Sequence, residues 1–590
     1  MAPPSAIVWR ALVAMAVLTF GAATAEAQVC DDGSNAAIWF FPPSPQSGDR
    51  VRVLVVATDH AIDELAIVDE DGRRRVLPGS ARGGPPWSLK GSFDFVPKRP
   101  QRVEASRAGR VIACRETTAR PRLVDGWDRA TEALYAAWIE ALFDAPPDEE
   151  MSFPSLEPVL RDSERNLLHD YFGAGEDRRL PATPDCADLP YFLRTYFAWK
   201  LGLPIAFRAC SRGSASAPPR CGAAMIEQAF TNRGASPELF RNVARRLVDT
   251  VHSGSARTGL TDNQTDFYPV ALERDALWPG TVYADPYGHV LILVKWIPPA
   301  SGRSGMLLAV DAQPDNSVTR KRFWEGTFLF TGNMRSAGPG FKAFRPLARA
   351  RDGSGPVRLL SNDALLDDAR FPAFSYEQAR LDEDEFYARI AQLINPQGLD
   401  PELAYQSTLD ALVEQLATRV TSIDNGEAYF RRTPRSVIAM PVGAAIFETI
   451  GPWEDYATPS RDMRLLIAMN VLARLPERVV LHPELFLLNG RSPEMVREDL
   501  ERLHRRSVGA RAITYTRSDG TPQQLSIAEV FERQPAFEIG YNPNDCVELR
   551  WGAAAGSAEA SSCRRHAPQD QRSRMESYRA WFRETRRPPR

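Results

Sequence analysis

The sequence predicts a multidomain chain in three parts: a small β-sandwich, then an α+β domain, then a mainly α-helical C-terminal domain. Short apolar runs between clusters of turn residues fill positions 28–118, the mark of short strands. Positions 119–350 mix helical spacing with two strongly apolar strands. Beyond 350 the apolar residues fall almost wholly at helical spacing. A length of 590 residues suits three or four domains at roughly 150 residues each. The composition, 44% hydrophobic and 25% charged, is that of a globular chain. A net charge of -3 gives no electrostatic footprint for nucleic acid.

Residues 1–27 read as a secretory signal peptide. Arg10 precedes an apolar run at 11–23, and Ala25-Glu26-Ala27 supplies a small-x-small cleavage site. The run is too short to span a bilayer comfortably. Val29, just before Cys30, is not the small residue that a lipid-modified cysteine requires. Cleavage after Ala27 predicts a periplasmic or secreted protein with no transmembrane segment in the mature chain. Its compartment would permit disulfides.

In the first domain, 28–118, the strand-like runs are 37–41, 51–56 and 92–96. Pro42-Pro43, Ser47-Gly48-Asp49, Asp71-Gly72 and Gly83-Gly84-Pro85-Pro86 separate them. That rhythm predicts an immunoglobulin-like sandwich. The central domain, 119–350, opens with Trp127, Ala130, Leu134, Ala137, Trp138 and Leu142 at helical steps, and 156–171 reads the same way. In the third domain, 351–590, helical spacing covers 376–422, 460–475 and 492–505. Thr458-Pro459 reads as a cap followed by proline at the first helical position. The arginine-rich end, 572–590, reads as a solvated helix and a frayed basic tail.

Seven cysteines are present. Proximity suggests three pairs: Cys30 with Cys114, Cys210 with Cys221, and Cys546 with Cys563. Cys186 is left over. An odd cysteine in an exported protein is a reactive thiol or an intermolecular link, or else an inert buried one. Downstream of Cys186, the residues Leu189, Phe192, Leu193, Tyr196 and Phe197 form an apolar helical stripe ended by Gly202 and Pro204. Asp185 or Asp188 serves as the N-cap. The thiol therefore sits at, or within about two residues of, a helix N-terminus. There the positive end of the helix lowers a thiol pKa and free N–H groups can hold an oxyanion.

Among seven histidines, His289 has the best setting. The turn Asp285-Pro286-Tyr287-Gly288 delivers it to the first position of an apolar strand, 289–296. His60, His252, His504 and His566 read as polar and exposed, and His169 and His482 lack an obvious partner. The next strand runs 306–311. If the two pair antiparallel around Ala300, His289 stands opposite Asp311, close enough for the carboxylate to fix the imidazole tautomer. Asp311 also reads as a turn residue, and Gln313 and Asn316 are the fallbacks for the orienting role.

These residues carry a resemblance. Cys186-Ala187-Asp188, followed by an aromatic helix and Leu201-Gly202-Leu203-Pro204, resembles the nucleophile helix of transglutaminase-like proteins. Gly288-His289-Val290, then a strand ending Val310-Asp311, gives their Cys, His, Asp order. The Gly-His-Val element also resembles the histidine strand of NlpC-type cell-wall peptidases. Both groups belong to the papain-like superfamily. The resemblance spans about 186–316. It implies that the α+β domain is papain-like (transglutaminase-like), with Cys186, His289 and Asp311 as its catalytic residues. No upstream Gln or Trp matches the oxyanion partner of some of these families.

The implied function is a thiol hydrolase or acyltransferase, either a cysteine peptidase or amidase or a transglutaminase-like acyltransferase. It would act on the amide bonds of a peptide or protein, with peptidoglycan stem peptides and envelope proteins the amides at hand. Two other classes compete with it. One is a catalytically inactive papain-like fold that serves as an envelope binding or scaffold protein. The other is a structural protein whose Cys186 links two chains. No cofactor and no metal is expected, since zinc-finger spacing, His-Glu-x-x-His and Walker motifs are all missing. Asn542-Pro543-Asn544-Asp545 reads as a turn rather than a calcium site.

Overall fold

The computed structural model describes residues 30–588 apart from 34, 98–100, 119–125, 150, 215–216, 231–235, 314–315, 332–337, 349–357 and 449–450. The predicted signal peptide and its cut lie outside the described residues.

Two four-stranded antiparallel sheets form the N-terminal part. One runs Ala36–Phe41, Arg50–Ala57, Trp87–Asp94, Gly79–Arg82 in spatial order. The other runs Arg74–Val76, Glu64–Asp69, Gln101–Arg107, Arg110–Glu116. Val51, Val53 and Val55 of the first sheet share a core with Leu65, Ile67 and Val103 of the second. The first strand, Ala36–Phe41, is buried along its whole length, and alternation explains how. Ile38 and Phe40 face the sandwich core, while Ala37, Trp39 and Phe41 point into the core of the next domain. A disulfide joins Cys30 to Cys114.

The central part is built on a seven-stranded antiparallel sheet. Its spatial order is Phe267–Pro269, Gly340–Phe344, Val282–Ala284, Val290–Ile297, Met306–Ala312, Val318–Arg322, Ser152–Phe153. On one face, Val290, Ile292, Val294 and Val310 pack with helices Arg129–Leu142 and Asp188–Leu201. The first helix begins where its pattern predicts, with the Asp128 carboxylate accepting from the Thr131 N–H. The stretch 156–171 is helical only over Glu157–Arg161 and then runs through turns. Helix Asp188–Leu201 is buried on nearly every side, which its unbroken apolar and aromatic sequence requires. Gly202, at φ 75°, closes it, with its N–H on the Ala198 carbonyl.

The other face of the sheet is covered from beyond residue 350. Leu291, Leu293, Leu307, Ala309 and Phe341 pack with Leu365, Phe371, Phe374, Phe386 and Ile390. The last two lie on helix Glu383–Ile394. The central core therefore continues past 350. The change of composition at that boundary falls on 349–357, outside the described residues.

The remaining helices pack around their own core. They are led by Pro401–Arg432, Pro459–Leu481, Pro493–Ala510 and Gln569–Arg583, with one hairpin, Ala512–Thr516 and Pro522–Ser526. The 376–422 segment breaks into two helices at Asn395-Pro396. Pro459 occupies the first turn as predicted, but Thr458 makes no side-chain cap. Its hydroxyl accepts from Arg550 instead, at 3.1 Å. The arginine-rich end is not frayed through residue 588. Met575 and Phe582 enter the core, and Arg579 and Arg583 ion-pair with Glu538. Among the described residues no helix is long and apolar enough to cross a membrane.

Candidate functional site

Six cysteines form the three predicted disulfides, Cys30–Cys114, Cys210–Cys221 and Cys546–Cys563. Three such bonds fit a chain made for an oxidising compartment. Cys186 is a free thiol, half-buried. It sits in a turn directly before helix Asp188–Leu201. Asp185 does the capping: its Oδ1 accepts from the N–H of Ala187 at 2.8 Å and of Asp188 at 2.9 Å. The Leu189 N–H goes to the Asp185 carbonyl. The first amides of the helix are thereby used up. The N–H of Cys186 itself has no acceptor among the described residues.

The thiol lies against the backbone on either side of His289. Its Sγ is 4.0 Å from the Gly288 carbonyl oxygen, and the Val290 N–H points to it. Thiol and imidazole make no hydrogen bond with each other. The turn that delivers His289 is stapled by Asp285. Its buried carboxylate takes the Tyr287 N–H at 2.6 Å and the His289 N–H at 3.1 Å. Gly288 is required here on two counts. Its φ is +103°, and a Cβ would lie 3.1 Å from Ser253 Oγ.

His289 Nε2 and Asp311 Oδ2 are 2.7 Å apart. The predicted pair is thus in contact, but not through the predicted register. Ile292 pairs with Val310 and Leu293 with Ala309; beyond a bulge, Lys295 pairs with Leu308. The hairpin turns at Ser301-Gly302, where Ala300 bridges Arg303, rather than on Ala300. Carried on, the ladder sets Asp311 across from Leu291. His289 lies two residues away on the same face and reaches it diagonally. A displacement of two keeps every side chain on its face, whereas a displacement of one would have parted the pair.

Asp311 is fully buried, and its Oδ2 is shared. Gln313 Nε2 donates to it at 2.6 Å and Lys321 Nζ lies at 3.2 Å. Burial works against the Asp311 charge, but Lys321 and His289 outweigh it and hold the carboxyl below its usual range. Of the two fallbacks, Gln313 supports Asp311. Asn316, at φ 70°, shapes the turn that follows. His289 Nδ1 has no partner among the described residues. It is the ring nitrogen that the carboxylate does not hold.

The electrostatics of Cys186 overturn one sequence-based expectation. Burial pushes its thiol above the ordinary range. Asp185 pushes the same way, and so, less strongly, do Asp311 and Asp285; only the Val290 N–H opposes them. The position before a helix N-terminus thus does not leave this thiol below its ordinary range, because burial, and after it the Asp185 charge, push it up. Asp188, in the first helical turn, is itself lifted from 3.8 to about 8 by burial and by Asp185. Cys186 is therefore a neutral thiol at rest.

Other expectations also change. His252 is not exposed: its Nδ1 accepts from Gly254 N at 3.0 Å, and its Nε2 lies 2.8 Å from the Cys210 carbonyl. His504 is half-buried, 3.0 Å from Tyr405. Of the four histidines read as exposed, only His566 is so. Asn542 and Asn544 bind Gln571 and the Ile438 backbone, as a structural turn would. The grouping Cys546, Glu548 and Cys563 has metal-like spacing, but its two sulfurs are bonded to each other. Lys321 and Arg464 were missed in the sequence. Nothing local in a sequence marks a cation that reaches a site from another strand or helix.

A scan against protein-family models finds no match, and searches of curated proteins and of solved structures find none either.

Proposed function

We propose that the chain is an exported thiol hydrolase or acyltransferase acting on peptide or protein amides, with Cys186 as nucleophile, His289 as base and Asp311 as the residue that orients it. The observation that carries this reading is the placement of the one free thiol, at the head of a buried helix, against the backbone that flanks a carboxylate-bound histidine. Because the resting thiol is neutral, His289 removes its proton as the sulfur attacks the amide carbon. The Cys186 N–H, which has no acceptor among the described residues, receives the developing oxyanion in this reading. The imidazolium then protonates the leaving amine. Water or a second amine resolves the thioester and restores the thiol. For a periplasmic or secreted chain, we take cell-wall peptides and envelope proteins as the amides at hand.

A second reading, a papain-like fold retained for binding alone, is favoured by one observation. The thiol bonds to backbone rather than to the imidazole, and it is pushed up rather than down. Alkylation of the folded, unreduced protein with iodoacetamide, followed by peptide mass spectrometry, separates the two. Catalysis requires that Cys186 alone be modified and that His289→Ala slow the reaction at neutral pH by about tenfold or more. Labelling only after unfolding, or an equal rate in His289→Ala, leaves the binding reading.

A further inference from the structure

The segment that carries His289 is gripped from outside its own sheet. Asp285 Oδ1 is spent on the turn, and its Oδ2 is ion-paired with Arg464. Arg464 belongs to helix Pro459–Leu481 of the C-terminal helices, and its other Nη donates to the Thr327 carbonyl at 3.0 Å. Arg587 grips the opposite end of the same turn. Its Nη1 donates to the Tyr287 carbonyl at 3.0 Å and its Nη2 to Ser460 Oγ at 3.0 Å. The guanidinium lies 4.9 Å over the Tyr287 ring and 4.8 Å over that of Phe447. Between the Tyr287 carbonyl and His289 stands only Gly288, the residue with the freest backbone.

We propose that Arg587, with Arg464, is a positioning residue for His289: the C-terminal helical part clamps the Asp285–Gly288 turn and so fixes the line of approach between the imidazole and Cys186. The inference rests on the acyl-transfer reading. Its physical content is that a turn with a glycine pivot has two ends to secure. Asp285 is secured by an ion pair with both partners shielded from solvent, and Tyr287 by a fork that also covers the ring. Releasing one end frees the pivot without removing any group that touches the reacting atoms. A displacement of about 1 Å at a reacting centre is enough to cost tenfold or more in rate.

The test is the pH dependence of Cys186 alkylation by iodoacetamide in the full chain, with His289→Ala as reference and the thermal unfolding midpoint as fold control. Arg587→Ala is expected to lower the His289-dependent rate about tenfold and to move the profile toward that of His289→Ala, with the midpoint held. Arg587→Lys restores part of the rate, since an ammonium still reaches the Tyr287 carbonyl but lacks the fork. Ser460→Ala, which removes only the lower anchor, loses less. A wild-type profile in Arg587→Ala, alongside an altered one in His289→Ala, overturns the clamp. A wild-type profile in His289→Ala overturns the acyl-transfer reading, and the clamp with it. If Arg587→Ala fails to fold, wild-type profiles in both Arg587→Lys and Ser460→Ala overturn the clamp.

Discussion

Replacing Asp188 with asparagine should stabilise the protein, and increasingly so as pH rises. Asp188 lies in the first turn of a buried helix, where a negative charge is ordinarily favoured. Burial and the capping carboxylate of Asp185 reverse that preference and raise the Asp188 carboxyl from 3.8 to about 8. The folded protein therefore holds a proton, shared toward Asp185, that the unfolded chain releases near pH 4. Below pH 4 both states are protonated and the group is neutral in its effect. Between 4 and 8 folding takes up a proton, and stability falls as pH rises. Above 8 the loss is complete.

Proton uptake on folding costs about 1.4 kcal/mol for every pH unit above the point where the unfolded chain ionises. The interval from pH 4 to 7 thus sets a ceiling of about 4 kcal/mol, of which we expect about 2 kcal/mol after relaxation of the site. Asparagine reproduces the protonated acid, including a donor toward Asp185, and loses nothing on ionisation. Urea denaturation of both proteins at pH 5, 7 and 9 measures the gap. It should widen by about 0.7 kcal/mol per pH unit from pH 5 to 8 and then level off. Parallel stability curves would refute the protonated-acid account of this helix end.

Asp311→Asn keeps the shape of the proposed orienting residue but not the charge that holds His289 and Lys321. Alkylation of Cys186 at neutral pH should slow by about tenfold or more, and an unchanged rate counts against the orienting role. Arg419→Met strands Asp462, a fully buried carboxylate bound at 2.9 and 2.8 Å. Urea denaturation should show a loss of about 3–5 kcal/mol, against almost none for the exposed Arg502→Met. Phe386→Ala empties a fully buried site stacked on Phe330 at 3.9 Å. It should cost about 3–5 kcal/mol and speed hydrogen exchange in the sheet strand Val290–Ile297. A loss confined to the C-terminal helices would show that Phe386 does not belong to the sheet.

The features legible in the sequence were those set by local chemistry. Gly202 after an aromatic helix, Asp185 before it, and Gly288 in an Asp-Pro-Tyr-Gly turn each carry their conformation in residue type. Strand periodicity put His289 and Asp311 on one face, which survived an error in where the hairpin turns. The thiol pKa was not legible, because it depends first on how deeply the fold buries the sulfur and then on which charges stand beside it. Asp185, which caps the helix, adds its own charge there. The helical reading of 156–171 failed for a related reason. Asn166, buried among Trp138, Tyr196 and the Leu160 carbonyl, binds the chain into turns that apolar spacing cannot foresee. The grip of Arg464 and Arg587 joins positions far apart in the chain, and arginine-rich segments look the same whether they meet solvent or a distant turn.

Strand Val290–Ile297 feeds two cores, one through Ile292 and Val294 and the other through Leu291 and Leu293. A gene truncated at residue 350 would therefore not yield a smaller soluble unit. It would leave Leu291, Leu293, Leu307, Ala309 and Phe341 as a bare apolar wall, of the kind that drives chains to associate. A single proteolytic nick at that point should have the opposite outcome. The two fragments would stay together through Phe386 and its neighbours and would separate only in denaturant. The 358–394 segment therefore belongs with the sheet it covers and not with the helices that follow it. Any movable module begins near Pro401.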